Sequence, residues 1–258
     1  MLFDTGSVLL AVRLDGDAGL PWLILSNSLA TDADLWDGQM PMLTAQRRVL
    51  RYDTRGHGGS RVPHGPATMA DLVGDVVALM DHFAIDRADV AGLSLGGMTA
   101  IGLALHHPHR LRRAVCACAR AEFPEAGRAM WDSRAATVTA GGVAAIAEET
   151  LARWFTPAAD PQVVAAARQM VLGTSDAGYL ACVAALKGLD YARDLGKITV
   201  PMLYLAGGQD GATPPAVMQA MATATPGAQF SSLPDAAHIA NMECPQAFNA
   251  ALSAFLFS

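Results

Sequence analysis

The stretch Asp89-Val90-Ala91-Gly92-Leu93-Ser94-Leu95-Gly96-Gly97-Met98 decides how this chain is read. Ala88 to Leu93 is of strand length and apolar at every position but Asp89, and Leu95 to His106 has the length and composition of a buried helix. Only a tight turn at Ser94 separates the two. A serine in a strand-to-helix turn takes strained backbone angles, and its neighbours two residues away must lack bulk for the turn to close. Gly92 and Gly96 stand at those two positions. Such a turn presents the serine Oγ at the carboxyl end of the sheet. It also sets the Leu95 amide at a helix N-terminus, where it can face a developing oxyanion.

A serine hydroxyl is a weak nucleophile unless a base takes its proton and a carboxylate orients that base. In a sheet carrying this turn the three groups follow in the order Ser, acid, His. His238 follows the strand-like run Gln229 to Leu233, and Asp210 follows the run Pro201 to Ala206 on a Gly-rich turn, so both are expected at the same sheet edge as Ser94. Asp235 competes with Asp210 for the carboxylate role, but only three residues separate it from His238 and it is expected to point away from the imidazole. A second oxyanion donor is expected from the loop after Trp22 to Leu25. There Asn27-Ser28 stands where a His-Gly pair is common, which makes the Leu29 amide the candidate.

Outward from this motif, Val8 to Leu14, Trp22 to Leu25, Arg48 to Tyr52 and Arg113 to Ala119 also read as strands. Helical patterns cover Leu35 to Ala45, Met69 to Phe83, Pro214 to Thr223 and Pro245 to Leu256. Strand and helix in alternation predict an α/β fold with a mostly parallel sheet flanked by helices. The alternation stops between Ala121 and Arg193, where Ala-rich helical stretches run without a convincing strand. The expected division is therefore a core of residues 1–120 and 194–258 and an inserted helical lid, or cap, of residues 121–193.

Composition narrows the function classes. The 258 residues are 52% hydrophobic and 16% charged, which excludes an intrinsically disordered chain. A net charge of -6 argues against a nucleic-acid-binding face. All but two of the 18 cationic residues are Arg, the exceptions being Lys187 and Lys197, so a cation fixed in a pocket is expected to be a guanidinium. Met1-Leu2-Phe3-Asp4 lacks the basic start of a signal peptide, and the apolar run Val90 to Leu105 reads as strand plus helix rather than a membrane span. A cytoplasmic protein with no membrane contact is expected, and self-association into a homo-oligomer is left open. Cys116 and Cys118 alternate with alanines and are expected on one face of a strand as small core hydrophobes, with neither metal nor redox chemistry.

Nearly the whole chain resembles the α/β-hydrolases, and within them the 3-oxoadipate enol-lactonases. The segments that carry the resemblance are Leu25-Ser26-Asn27-Ser28-Leu29, Val49 through Gly58, Gly92 through Met98, Arg153-Trp154-Phe155-Thr156-Pro157, and His238 to Asn241 with Glu243 and Pro245 to Phe248. The resemblance implies cofactor-free hydrolysis of a small lactone or ester, with 3-oxoadipate enol-lactone as the substrate and a Ser94 acyl-enzyme as the intermediate. The chain departs from the family's pattern at two places: Cys116-Ala117-Cys118-Ala119-Arg120-Ala121-Glu122-Phe123 replaces the usual sequence leading out of that strand, and Ala240 replaces a Ser. A carboxylesterase or perhydrolase for small uncharged esters is the alternative within enzymes. A non-catalytic ligand-binding protein on the same fold is the alternative outside them.

A lactone with a carboxymethyl arm needs a cation and an apolar wall. Trp131 and Arg134 lie at i and i+3, so they share a helix face. Arg134 is the candidate carboxylate partner, with Trp131 and Trp154 as candidate wall residues. Arg55, in Asp53-Thr54-Arg55-Gly56-His57-Gly58, is expected to brace its own turn.

Overall fold

The computed structural model describes residues 1–258. Its sheet has eight strands: β1 (Leu2–Asp4), β2 (Leu9–Asp15), β3 (Trp22–Ser26), β4 (Arg48–Tyr52), β5 (Ala88–Leu93), β6 (Leu111–Ala117), β7 (Met202–Gly207) and β8 (Gln229–Leu233). Their spatial order is β1-β2-β4-β3-β5-β6-β7-β8. The β1–β2 and β2–β4 pairs are antiparallel, and the pairs from β4 to β8 are parallel. Every residue of β5 and β7 is buried, as helices on both sheet faces require. By contrast, β2 at the antiparallel edge alternates between buried and partly exposed positions along its first half.

Ten helices accompany the sheet: α1 (Met40–Thr44), α2 (Met69–His82), α3 (Leu95–His106), α4 (Glu125–Gly141), α5 (Ala147–Trp154), α6 (Pro161–Gly173), α7 (Asp176–Lys187), α8 (Pro215–Ala224), α9 (Ala240–Glu243) and α10 (Pro245–Leu256). α3 is buried from Leu95 through Ala104, which accounts for the apolar run beginning at Val90 as β5 followed by α3. No helix is long and apolar enough to cross a membrane. α2 opens on a capping box in which the Thr68 hydroxyl accepts the Asp71 N–H and the Asp71 carboxylate accepts the Thr68 N–H.

Three local expectations change. The expected helix Leu35 to Ala45 is a 3₁₀ segment, Ala33–Gln39, followed by the short α1, in which Pro41 sits at the start because it lacks an N–H to donate. Leu2–Asp4, only three residues long, adds an edge strand that its pattern does not announce. β6 starts and ends two residues earlier than expected, so Cys118 lies beyond the strand. Its φ is 45° and its N–H donates to the Leu205 carbonyl at 2.9 Å. Cys116 and Cys118 are both fully buried, and burial pushes both thiols up, away from the reactive thiolate.

The register sets the working edge. Ser26 pairs with Gly92 in β3–β5, and Gly207 pairs with Leu233 in β7–β8. Parallel strands therefore deliver the loops after β3, β5, β7 and β8 to one end of the sheet. α4 to α7 follow β6 in the chain, and their segment enters and leaves at an isolated bridge between Glu122 and Asp190. The Tyr191 N–H donates to the Ala121 carbonyl at 2.8 Å and closes the neck.

Candidate active site

Ser94 has φ 55° and ψ -113°, a conformation costly for a residue with a side chain. Tight packing on both sides holds it there. A Cβ on Gly92 would lie 2.0 Å from the Gly96 carbonyl oxygen, and one on Gly96 would lie 2.1 Å from the Ser26 carbonyl oxygen. The Ser94 N–H donates to the Ala117 carbonyl at 2.8 Å, and its own carbonyl accepts the Met98 N–H at 2.9 Å.

His238 Nε2 lies 3.0 Å from Ser94 Oγ, and its Nδ1 lies 2.7 Å from Asp210 Oδ2. An ionised carboxylate only accepts, so Nδ1 carries the proton and Nε2 is free to accept from the serine. The second oxygen of Asp210 accepts the Ala212 N–H at 2.7 Å and the Thr213 N–H at 3.0 Å, and the Thr213 hydroxyl donates to Oδ2. Burial alone would raise this carboxyl. The His238 imidazole and the Thr213 donors outweigh it and hold the group down at about 2. Asp235 is exposed and makes no contact with the imidazole, so geometry selects Asp210 between the two aspartates.

The Leu29 N–H has no acceptor in the protein, and Leu95 opens α3, where the first amides lack partners within the helix. The loop carrying Leu29 is closed by Asn27, whose Nδ2 donates to the Thr31 carbonyl at 2.6 Å and whose Oδ1 accepts from the Thr54 hydroxyl at 3.3 Å.

Ser94 and His238 open on a cavity whose lining includes Leu29, Trp131, Arg134 and Trp154. The two wall candidates and Arg134 thus reach the same space as the serine. Arg134 is already engaged, however: it donates to the Tyr179 hydroxyl at 3.3 Å, to Glu149 at 3.1 Å and to the Thr150 hydroxyl. Its guanidinium carbon lies 6.0 Å from the Trp131 ring centre. The Trp131 indole N–H is buried without a partner. The Arg55 side chain bonds to α2 rather than within its own turn, through two bonds of 2.8 and 2.7 Å to the buried Asp75.

Two residues at the site carried no assigned role in the sequence. Arg153, on α5, also lines the cavity. Glu243 accepts the Thr156 N–H at 2.7 Å and the Ala237 N–H at 2.6 Å, while the Trp154 carbonyl accepts the His238 and Ile239 N–H groups at 3.0 and 3.1 Å. The segment Arg153 to Pro157 is thereby stitched to the histidine loop. Their sequence proximity to Trp154 and His238 was the available signal, but nothing in it says which acceptor meets which amide.

Fold and site together define a hydrolase with a Ser-His-Asp arrangement on a parallel sheet. The chain belongs to the alpha/beta hydrolase fold family, whose model matches residues 21–245. It is 38% identical to 3-oxoadipate enol-lactonase 2 of Acinetobacter baylyi, over 93% of this chain and 90% of that protein. It is also similar to the crystal structure of the enol-lactonase from Burkholderia xenovorans LB400, at 38% identity and a TM-score of 0.94, covering 97% of both chains. A Caulobacter sp. (strain K31) protein provisionally named a carbamate hydrolase is 31% identical over 91% of this chain and 90% of its own length.

Proposed function

We propose that this protein hydrolyses a small lactone or ester that carries a carboxylate, with 3-oxoadipate enol-lactone as the favoured substrate. One observation carries the reading: Ser94 and His238 open on a cavity lined by two guanidiniums, Arg134 and Arg153, and by no carboxylate. The names of the relatives at 38% identity support the same substrate class. Residues 121–193 act as the lid over the core formed by 1–120 and 194–258, and the Glu122–Asp190 bridge supports that division.

In this mechanism Ser94 Oγ attacks the acyl carbonyl carbon as its proton passes to His238 Nε2. The Leu29 and Leu95 amides donate to the oxyanion of the tetrahedral intermediate. Collapse breaks the ring C–O bond, the enol oxygen takes the proton from His238 and the acyl-enzyme remains. His238 then takes a proton from water, whose oxygen attacks the acyl carbon. The new carboxyl product leaves as Ser94 recovers its proton. Asp210 holds the Nδ1–H tautomer and stabilises the imidazolium formed twice in each turnover. An enol leaves readily, so no stronger acid and no cofactor are required.

The test compares hydrolysis of the enol-lactone, followed spectrophotometrically, with that of a simple uncharged aryl ester. A kcat/KM for the enol-lactone below that for the ester refutes the substrate and favours the carboxylesterase alternative. Ser94→Ala hydrolysing either compound at the wild-type rate refutes the mechanism. Failure of wild-type Ser94 to be labelled by an active-site phosphonate restores the non-catalytic alternative.

A further inference from the structure

The two cavity guanidiniums are differently occupied. Arg134 is buried, and each of its three nitrogens donates to a side chain of α5 or α7, namely Glu149, Thr150 and Tyr179. Its donors tie α4 to its neighbours. Arg153 keeps 37% of its side chain exposed, and its contacts are the Met130 thioether at 3.7 Å and Glu149 at 3.9 Å. A thioether is a weak acceptor. Glu149 is 64% exposed and sits closer to Arg134, at 3.1 Å. Nε and Nη2 of Arg153 donate to nothing in the protein, so most of its planar fork is unused.

Arg153 is also well placed. It precedes Trp154, the last residue of α5, whose carbonyl accepts the backbone N–H of the catalytic-site His238. A short backbone link therefore holds its Cα in register with the base. Arg153 and Ala212 border both the reaction cavity and an outer hollow beside Phe155 and Gln209. Across that gap the Ala212 carbonyl accepts two bonds from Arg120, at 3.0 and 2.8 Å, so the opposite lip is held.

We propose that Arg153, rather than Arg134, pairs with the carboxylate of the substrate and sets the selectivity of this cavity for anionic acyl compounds. The assignment rests on the reading of the substrate as carboxylate-bearing and names the residue that reads the charge. Arg153, with Nε and Nη2 unused, can offer a carboxylate two parallel N–H···O bonds along one edge of its guanidinium, whereas every nitrogen of Arg134 is already tied to a lid side chain that fixes its orientation. Being half-exposed, the pair is screened by salt.

The experiment measures kcat/KM on two p-nitrophenyl esters of equal acyl length, one ending in a carboxylate and one in a methyl group. The wild-type enzyme prefers the carboxylate ester, and the preference shrinks as salt rises. Arg153→Gln lowers the ratio of the two kcat/KM values about tenfold or more, mainly through KM on the anionic ester, and Arg153→Lys restores part of it. Arg134→Gln lowers both kcat/KM values by a common factor and lowers Tm, because it removes lid contacts. A wild-type enzyme that prefers the anionic ester, with a ratio unchanged in a folded Arg153→Gln and reduced in Arg134→Gln, overturns the assignment. A wild-type enzyme with no preference overturns instead the carboxylate-bearing reading beneath it.

Discussion

Replacing Asp210 by Asn tests the site at its most buried polar contact. The Asn Oδ1 can keep the Ala212 and Thr213 N–H bonds, now at 2.7 and 3.0 Å, which leaves Nδ2 facing His238 Nδ1 across the present 2.7 Å. Two N–H groups cannot share that contact. The imidazole changes tautomer, Nε2 gains the proton, and it can no longer accept from Ser94 Oγ at 3.0 Å. In a triad of this kind the change costs about 10⁴ in kcat, or about 5 kcal/mol at about 1.4 kcal/mol per tenfold. Stability responds too. The carboxyl is held at about 2 against an ordinary 3.8, a stabilisation on the order of 2 kcal/mol at neutral pH. Because the folded-state value is depressed, that contribution is present above the unfolded value and is lost as pH falls from about 4 through about 2. Steady-state hydrolysis of an aryl ester at neutral pH reads the first effect. Urea unfolding of both proteins at pH 5, 4 and 3 reads the second, with the stability gap narrowing as the medium becomes acidic. A folded Asn variant retaining more than a tenth of wild-type kcat would refute the orienting role of Asp210.

Other substitutions probe the frame around the triad. Gly96→Ala sets a Cβ 2.1 Å from the Ser26 carbonyl oxygen, where only backbone movement can relieve it, and costs about 3 kcal/mol or more in urea unfolding while displacing the Leu95 amide and lowering kcat. Glu243→Gln leaves one acceptor oxygen for the Thr156 and Ala237 amides, so one bond is lost. The expected result is a loss of about 1.5–3 kcal/mol of stability, with kcat falling more than KM rises because the histidine loop loosens. Arg55→Ala strands the buried Asp75 carboxylate and lowers stability by about 3–5 kcal/mol in a denaturant melt, since the lost partner leaves an uncompensated charge.

Much of this molecule follows from local pattern. The mostly apolar β5, the serine between glycines and the buried α3 predict one another, because a strand-to-helix turn this tight needs small residues on both sides. Strand and helix periodicity likewise place Asp210 and His238 after adjacent parallel strands. Side-chain partnerships between distant segments are a different matter, as the two cavity arginines illustrate. Trp131 and Arg134 are neighbours on one helix face, so spacing alone marks them. Whether Arg134 is free depends on Glu149, Thr150 and Tyr179, which arrive from other helices. Cys118 failed for a related reason: alternation in sequence extends a strand only while its neighbours continue, and here the chain must leave the sheet for the lid.

Taken by itself, then, the sequence determined seven of the eight strands, the order of their loops and the Ser-Asp-His order, because hydrophobic period and turn chemistry act over a few residues. Only the tertiary structure set the distances within the triad, joined Glu243 and Trp154 to the histidine loop, and left Arg153 with an unused fork. Those outcomes depend on which donor meets which acceptor when segments far apart in the chain are packed together, and no local pattern encodes that.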